Sequence, residues 1–285
     1  MTEVLGGPRG TTTVRPLTAD ELPALRALTD EDPLVNLFVR ARLDSSGLDA
    51  RWLAAQVLGC FDAGRLVAAC HVGANVVPIQ AGPAAIEGFA EHLSTQRRPS
   101  SIVGPRDAVL ALWERLEPVW GAARSPRPDQ PFLVLRDDGA VAPDPRVRPI
   151  MLDEVDVLYP ASVAMFTEEV GVDPEVTGGH GYRARVTQLV AQGWAFGIVE
   201  QGSVVFKAEV GAVTDAGCQV QGVYVRPDLR GQGIAAAAMA GVVQQVRRSI
   251  APVVTLYVND HNTAARRTYE RVGFEQEATF ASILM

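Results

Sequence analysis

The residues best suited to chemistry lie in one stretch, Gln221-Gly222-Val223-Tyr224-Val225-Arg226-Pro227-Asp228-Leu229-Arg230-Gly231-Gln232-Gly233-Ile234-Ala235. A strand is predicted to stop at Pro227, a tight Arg-Gly-Gln-Gly turn follows, and an Ala-rich helix is predicted from about Ile234. The first amides of a helix lack an intrahelical partner, and the helix dipole puts partial positive charge there, so an anion binds. Gly231 and Gly233 remove the side chains that would hold a bulky phosphate away, and both allow positive φ. Arg230 adds a fixed cation at the mouth of the turn. The chemistry is that of a pyrophosphate cradle. A P-loop would need Lys and then Ser or Thr after its last glycine, where Ile234-Ala235 stand, and the third glycine of a dinucleotide fingerprint is missing.

A second constellation lies downstream. Val253-Val254-Thr255-Leu256-Tyr257-Val258 is a β-branched run that predicts a strand, followed by Asn262-Thr263-Ala264-Ala265-Arg266-Arg267-Thr268-Tyr269-Glu270-Arg271-Val272-Gly273-Phe274. Asn262 can cap a helix and Gly273 can end it, with Ala265, Tyr269 and Val272 on one face. Arg230-x-x-Gly233-x-Ala235 and Asn262-x-x-Ala265-x-x-x-Tyr269-x-x-x-Gly273-Phe274 together resemble the two signatures of the GNAT acetyltransferases, in the same order and at the usual separation. The resemblance covers roughly residues 146–285.

That resemblance implies acetyl-CoA as cofactor. The amides of Gly231, Gln232, Gly233, Ala235 and Ala236, with Arg230, would hold pyrophosphate. Backbone groups of Val223 and Val225 would pair with the pantetheine arm, the Val225 amide would polarise the thioester carbonyl, and Asn262 would hydrogen-bond the arm. Tyr269 would be the general acid for the departing thiolate. The loop between the first two helices lines the acceptor site in such folds, which makes Phe166, Glu168 and Glu169 candidates for binding an amine. The base departs from the pattern. Histone-type members carry Glu on the strand entering the phosphate turn, whereas Gln219 and Gln221 stand there, and an amide cannot take a proton. Glu209, one strand earlier, is the alternative, beside Glu168, Glu169 or a water chain. Strand alternation puts Lys207 and Glu209 on one face and Phe206, Ala208 and Val210 on the other. A cation two residues away favours the ionised carboxylate, which suits substrate binding better than proton abstraction.

The elements that must position these groups can be read in order. After a flexible start, a short strand at Thr12–Leu17 precedes a helix opened by the capping box Thr18-x-x-Glu21. Val14-Arg15-Pro16-Leu17-Thr18-Ala19-Asp20-Glu21 is echoed by Val147-Arg148-Pro149-Ile150-Met151-Leu152-Asp153-Glu154, and Asp62-Ala63-Gly64 by Glu200-Gln201-Gly202, each leading to Val-Gly-Ala. Two collinear echoes point to an internal duplication. The polar, Pro- and Gly-rich run Asp137–Pro145 sets the boundary near residue 141, giving domains 1–140 and 141–285. In the second half, helices are predicted at Asp153–Met165 and about Tyr182–Gln192, and a hairpin across Gln201-Gly202. The first half shows Gln80-Ala81-Gly82-Pro83-Ala84-Ala85 where the phosphate turn would stand, and Pro83 deletes a donor amide there. It resembles a GNAT fold that has lost cofactor binding, as in actinobacterial tandem members whose N-terminal domain has no assigned function.

Composition sets outer bounds. With 285 residues, 47% hydrophobic, the chain can bury one large core or two ordinary ones. No apolar run reaches the ~18 residues of a membrane span, and Met1-Thr2-Glu3 does not open a signal peptide, so a cytoplasmic protein without membrane partners is expected. Cys60, Cys70 and Cys218 are too few and scattered for a disulfide framework or a zinc site. A net charge of −7 argues against nucleic acid. Lys207 is the only lysine among many arginines. The expectation is an α/β (α+β) protein of two tandem GNAT-like domains, each a mixed, mostly antiparallel twisted sheet flanked by helices. It would be a monomer or homodimer that transfers acetyl from acetyl-CoA to a primary amine of a small molecule or peptide. A non-catalytic acyl-CoA sensor or interaction module is the other reading.

Overall fold

The computed structural model describes residues 12–285; the start of the chain lies outside them. Two compact units emerge: residues up to Gln130 together with Ala278–Met285, and Pro131–Glu277.

The first unit runs β1 (Thr13–Pro16), α1 (Leu22–Thr29), α2 (Leu37–Ser46), α3 (Ala50–Leu53), β2 (Gln56–Asp62), β3 (Arg65–Val72), β4 (Asn75–Ile79), α4 (Pro83–Ser94), β5 (Ser101–Pro105), α5 (Arg106–Trp120) and the beginning of β6 (Ser125–Leu135). Its sheet has the order β1-β2-β3-β4-β5, antiparallel except for β4 with β5. Residues 280–284 of the chain's last strand then lie antiparallel to β5. The second unit runs from the end of β6 through β7 (Arg148–Pro149), α6 (Val155–Val170), α7 (Pro174–Ala191), β8 (Ala195–Glu200), β9 (Ser203–Thr214), β10 (Gly217–Val225), α8 (Ile234–Ser249), β11 (Val254–Tyr257), α9 (Thr263–Val272) and the beginning of β12 (Glu275–Leu284). Its order is β7-β8-β9-β10-β11, with β10 and β11 parallel, and residues 132–135 of β6 close it antiparallel to β11.

The two units repeat local devices. Arg15 donates twice to Glu21, and Arg148 twice to Glu154. In both, the same carboxylate also accepts a backbone amide at the start of the helical segment, Thr18 at 2.8 Å and Met151 at 2.9 Å. Both hairpin turns take positive φ at two residues, Ala63 (47°) and Gly64 (80°), Gln201 (51°) and Gly202 (71°), as the twist of paired strands requires. Both hairpins shift register just before that turn, at Cys60/Phe61 and at Ile198/Val199.

The units do not divide near residue 141. The Pro/Gly run after β6 is bound into the second unit, where Ala140 N donates to Val272 O at 2.8 Å and Asp144 N to Ala237 O at 2.9 Å. A Pro- and Gly-rich composition signals irregular backbone, and here that backbone is anchored rather than a free linker.

In the second unit, helices cover both faces of the sheet. Phe206, Ala208 and Val210 of β9 join Met239, Val242 and Val243 of α8 in one core. On the opposite face, Ile150, Leu158, Val186 and Val190 form a second core under α6 and α7. Helix α6 extends past the expected Met165 to Val170, where Gly171 ends it in the left-handed region (φ 77°). Helix α7 begins at Pro174, well before Tyr182, because Asp173 caps it (Glu175 N to Oδ1, 2.8 Å) and proline suits the first helical position. Gly178 (φ 153°) interrupts α7 with a kink.

Candidate functional site

Strands β10 and β11 pair at two positions only, Cys218 with Val254 and Gln219 with Thr255. On its other side β10 stays with β9 up to Val225, through a register shift between Gln221 and Tyr224 that accommodates Gly222 (φ 60°). Arg226 N donates to Val205 O at 3.0 Å across that pair. Alternation therefore turns the Val225 amide away from β9, toward the side on which pairing with β11 has ended. Val223, two residues earlier, lies within the irregular part of the same edge.

The turn after β10 is open. Gly231 (φ 76°) and Gly233 (φ 80°) both sit in the left-handed region, and a Cβ on either would meet nothing within 4 Å. Their requirement is conformational, and the space beside them is open. Gly233 caps α8, so the amides of Ile234, Ala235 and Ala236 fall in a first turn with no intrahelical acceptor. Gln232 Nε2 donates to Asp228 O at 3.3 Å, within the turn. The first unit has no such turn: three residues, Gln80 to Gly82, separate β4 from α4, whose first residue is Pro83.

Arg230 is not solitary. Its guanidinium makes a two-point contact with Glu168 at the end of α6 (2.8 and 2.7 Å), while Nε donates to Val225 O at 3.0 Å. That cation holds the Glu168 carboxyl below the ordinary range, even though the pair is half-exposed. Two residues expected in separate roles, cofactor and acceptor, are thus joined. Phe166, Glu168 and Glu169 occupy the last turns of α6 rather than a loop, because the cap at Gly171 lies beyond them.

The Lys207 and Glu209 side chains sit on the sheet face opposite the Phe206 core and form a buried ion pair through Glu209 Oε1; Lys207 is 0% exposed and Glu209 5%. A Cβ on Gly222 would lie 3.1 Å from Glu209 Oε2 and 3.2 Å from Met165 Cε. The carboxylate and α6 therefore converge on the irregular turn of β10. Gln221 lies elsewhere: a Cβ on Gly211 would come within 2.3 Å of its amide oxygen, which places that side chain over β9. At the matching crossing of the first unit, His71 opposite Val77 takes the place of Glu209 opposite Gln221. Burial pushes that imidazole down to about 4, so it is neutral, and Nδ1 donates to Asn75 O at 3.1 Å.

Tyr269 is buried on α9, its ring 5.8 Å from Phe274. Burial, followed by the charge of Glu169, pushes its phenol up, so the hydroxyl keeps its proton at neutral pH. Asn262 caps α9, its Oδ1 accepting from Ala265 N at 3.1 Å, which leaves the amide NH2 as the part able to reach a ligand. The sequence reading missed Ser162, Met165 and Tyr182. Tyr182 OH donates to Ser162 O at 2.9 Å, and its ring lies 5.0 Å from Phe166. Burial, then Glu209, Tyr159 and Glu169 in that order, pushes the Tyr182 phenol up. The only local signal was the i, i+3, i+4, i+7 spacing of Ser162, Met165, Phe166 and Glu169.

Comparison with known proteins bears on the fold. Residues 186–274 match the family model described as Acetyltransferase (GNAT) family, and residues 55–158 match Domain of unknown function (DUF4081). No curated protein matches the chain. Among solved structures, a GNAT-family acetyltransferase from Colwellia psychrerythraea superposes with a TM-score of 0.61 at 14% identity, covering 96% of this chain and 99% of that one. A GCN5-related N-acetyltransferase from Sphaerobacter thermophilus gives 0.59 at 17%, covering 95% and 94%. A tandem GNAT protein from the clavulanic acid biosynthesis pathway gives 0.57 at 15%, covering 96% and 98%. At such identities these likenesses establish the fold, a mostly antiparallel open sheet flanked by helices. No described helix is long and apolar enough to cross a membrane. The likeness to the GNAT acetyltransferase family thus rests on residues 186–274 and on the fold, and residues 55–158 resemble a domain of unknown function.

Proposed function

We propose that the second unit binds acetyl-CoA and transfers its acetyl group to a primary amine of a small molecule or peptide. The observation that carries this reading is the combination of the open Gly231–Gly233 cradle with a β10 edge that has left β11. The first fits a pyrophosphate, and the second fits an extended amide-bearing arm lying beside Val223 and Val225. Bound acetyl-CoA supplies an activated thioester, and net transfer forms a C–N bond while a C–S bond breaks. The chain's own groups divide the rest. The amides of Gly231, Gln232, Gly233, Ala235 and Ala236 bind anionic oxygens, and the Val225 amide donates to a carbonyl oxygen. Tyr269, buried and protonated, gives a proton to a departing thiolate. Glu209 receives the amine nitrogen at Oε2 or takes its proton, and Phe166, Glu168 and Glu169 face the acceptor. The first unit then serves as a GNAT-like domain without a cradle, and the second as the cofactor-binding one.

One observation favours a second reading, an acyl-CoA sensor without turnover: Glu209 Oε1 is already held by Lys207, so half of that carboxylate is closed to an incoming amine. Release of free CoA over an amine panel, corrected for hydrolysis, decides between the two. Amine-dependent release that falls about 10²-fold in Tyr269→Phe is the expected result for the enzyme. Acetyl-CoA binding with no release on any amine would establish the sensor. Isothermal titration should count one acetyl-CoA per chain, and a second site would refute the loss of binding in the first unit.

A further inference from the structure

Arg230 occupies the strand edge assigned above to the pantetheine arm. Val225 is paired with Phe206 of β9, yet the bond to Val205 O comes from the next residue, Arg226 N. The amide and the carbonyl of Val225 therefore both point to the open edge of β10. That carbonyl is taken, because Arg230 Nε donates to it at 3.0 Å. The same guanidinium lies over Tyr224, 5.7 Å from the ring centroid, and its two other nitrogens both go to Glu168, at 2.8 and 2.7 Å. The cation of the glycine turn is thus folded back onto the strand, and a carboxylate from the last turn of α6 holds it there. It does not lie over the turn itself: a Cβ on Gly233 would meet no part of Arg230 within 4 Å.

Magnitudes decide whether such a hold can be released. Arg230 and Glu168 are both half-exposed. An exposed pair contributes little net, since water screens it and two long side chains lose freedom in making it. The Lys207–Glu209 pair differs in kind, because it is buried and opening it strands a charge. A pyrophosphate carries more negative charge than one carboxylate and also meets the amides of the turn, so it outcompetes Glu168 for the guanidinium fork.

We propose that Glu168 is an internal competitor of the cofactor. It holds Arg230 across the β10 edge, and acetyl-CoA binding exchanges that carboxylate for the pyrophosphate, clears the Val225 carbonyl for the pantetheine arm and frees the end of α6. Glu168 is then a positioning residue for Arg230 until the cofactor arrives, and a carboxylate able to meet an amine only afterwards. This exchange rests on the acetyl-CoA reading, and its test keeps the two apart.

The full chain, Glu168→Gln, Arg230→Gln and the double variant are titrated with acetyl-CoA by calorimetry, with circular dichroism as the check that each is folded. Glutamine keeps the shape of Glu168 and removes its charge. Glu168→Gln should therefore bind acetyl-CoA about fivefold more tightly than the parent, the upper end of what an exposed pair is worth. In the Arg230→Gln background the gain should vanish, because no cation is left to hold. A gain that persisted there would be general repulsion between Glu168 and the phosphates, and would overturn the exchange. Should Arg230→Gln bind too weakly to titrate, Arg230→Lys replaces it; lysine lacks the two-point fork, so the gain should fall below about twofold. Unchanged or weaker binding by Glu168→Gln overturns the proposal while the cofactor site stands. No acetyl-CoA binding by any of these proteins removes the parent reading, and this one with it.

Discussion

Replacement of Lys207 by methionine probes the second unit at its most exposed energetic point. The stem keeps its length and apolar packing, and only the ammonium is lost. Glu209 then remains almost fully buried with no cation, since Lys207 is its sole hydrogen-bond partner among the described residues. Breaking a buried pair from one side costs about 3–5 kcal/mol. An independent route gives the same range: protonating an ordinary carboxyl of pKa ~4.3 at pH 7 costs about 2.7 × 1.36, or roughly 3.7 kcal/mol. That route also sets the pH dependence. The variant escapes by taking up a proton, which costs only about 1 kcal/mol at pH 5, so the defect should shrink as pH falls. Urea denaturation of Lys207→Met at both pH values reads this directly. The double variant Lys207→Met/Glu209→Leu, with no buried charge left, should recover most of the loss at pH 7. A single variant within about 0.5 kcal/mol of the parent, or a double variant as unstable as the single one, would refute the buried-pair argument.

Other perturbations address separate parts of the molecule. Deleting Ala278–Met285 removes the strand paired with β5 and should unfold the first unit, leaving heteronuclear NMR signals from the second. Gly233→Ala forces a Cβ into φ 80° at a strain of about 1–2 kcal/mol; the expected result is a weaker acetyl-CoA titration at unchanged secondary-structure content by circular dichroism. Arg148 depresses the Glu154 carboxyl to about 2, so its contribution is complete above the unfolded range near 4.5 and fades as pH drops toward 2. Glu154→Gln should flatten the stability-against-pH curve in that acid window, by less than a buried pair would give because the partner Arg148 is half-exposed.

What could be read from residue order alone was the chemistry fixed by local backbone. Gly231, Gly233 and Gly273 encode positive φ, and Asn262 encodes a cap, so the left-handed glycine turn and α9 followed from their types. The hairpin at Gln201-Gly202 and the two faces of β9 followed from turn chemistry and the two-residue period. The pairing of Glu168 with Arg230, 62 residues apart, had no such carrier. Nor did the contact between Tyr182 and Phe166, which depends on α7 starting at Pro174 and bending at Gly178. The ends of the two sheets were illegible for a plainer reason. Phe132-Leu133-Val134-Leu135 and Phe280-Ala281-Ser282-Ile283-Leu284 are both short apolar runs that suit an antiparallel slot, and period alone does not say which sheet takes which.

The closing strands set an order of assembly during synthesis. Pro131–Glu277 is continuous, so every residue of the second unit has been made before Ala278–Met285 is added. The first unit begins the chain yet lacks one strand until Ala278–Met285 appears. Chains generally fold from the N-terminus as they emerge, but here the earlier-made unit is the one that must wait. For all that time β5 offers an open edge, the kind of surface that pairs with other chains. A chain interrupted between Glu277 and Ala278 would therefore carry a second unit that is whole and a first unit with an open, adhesive edge.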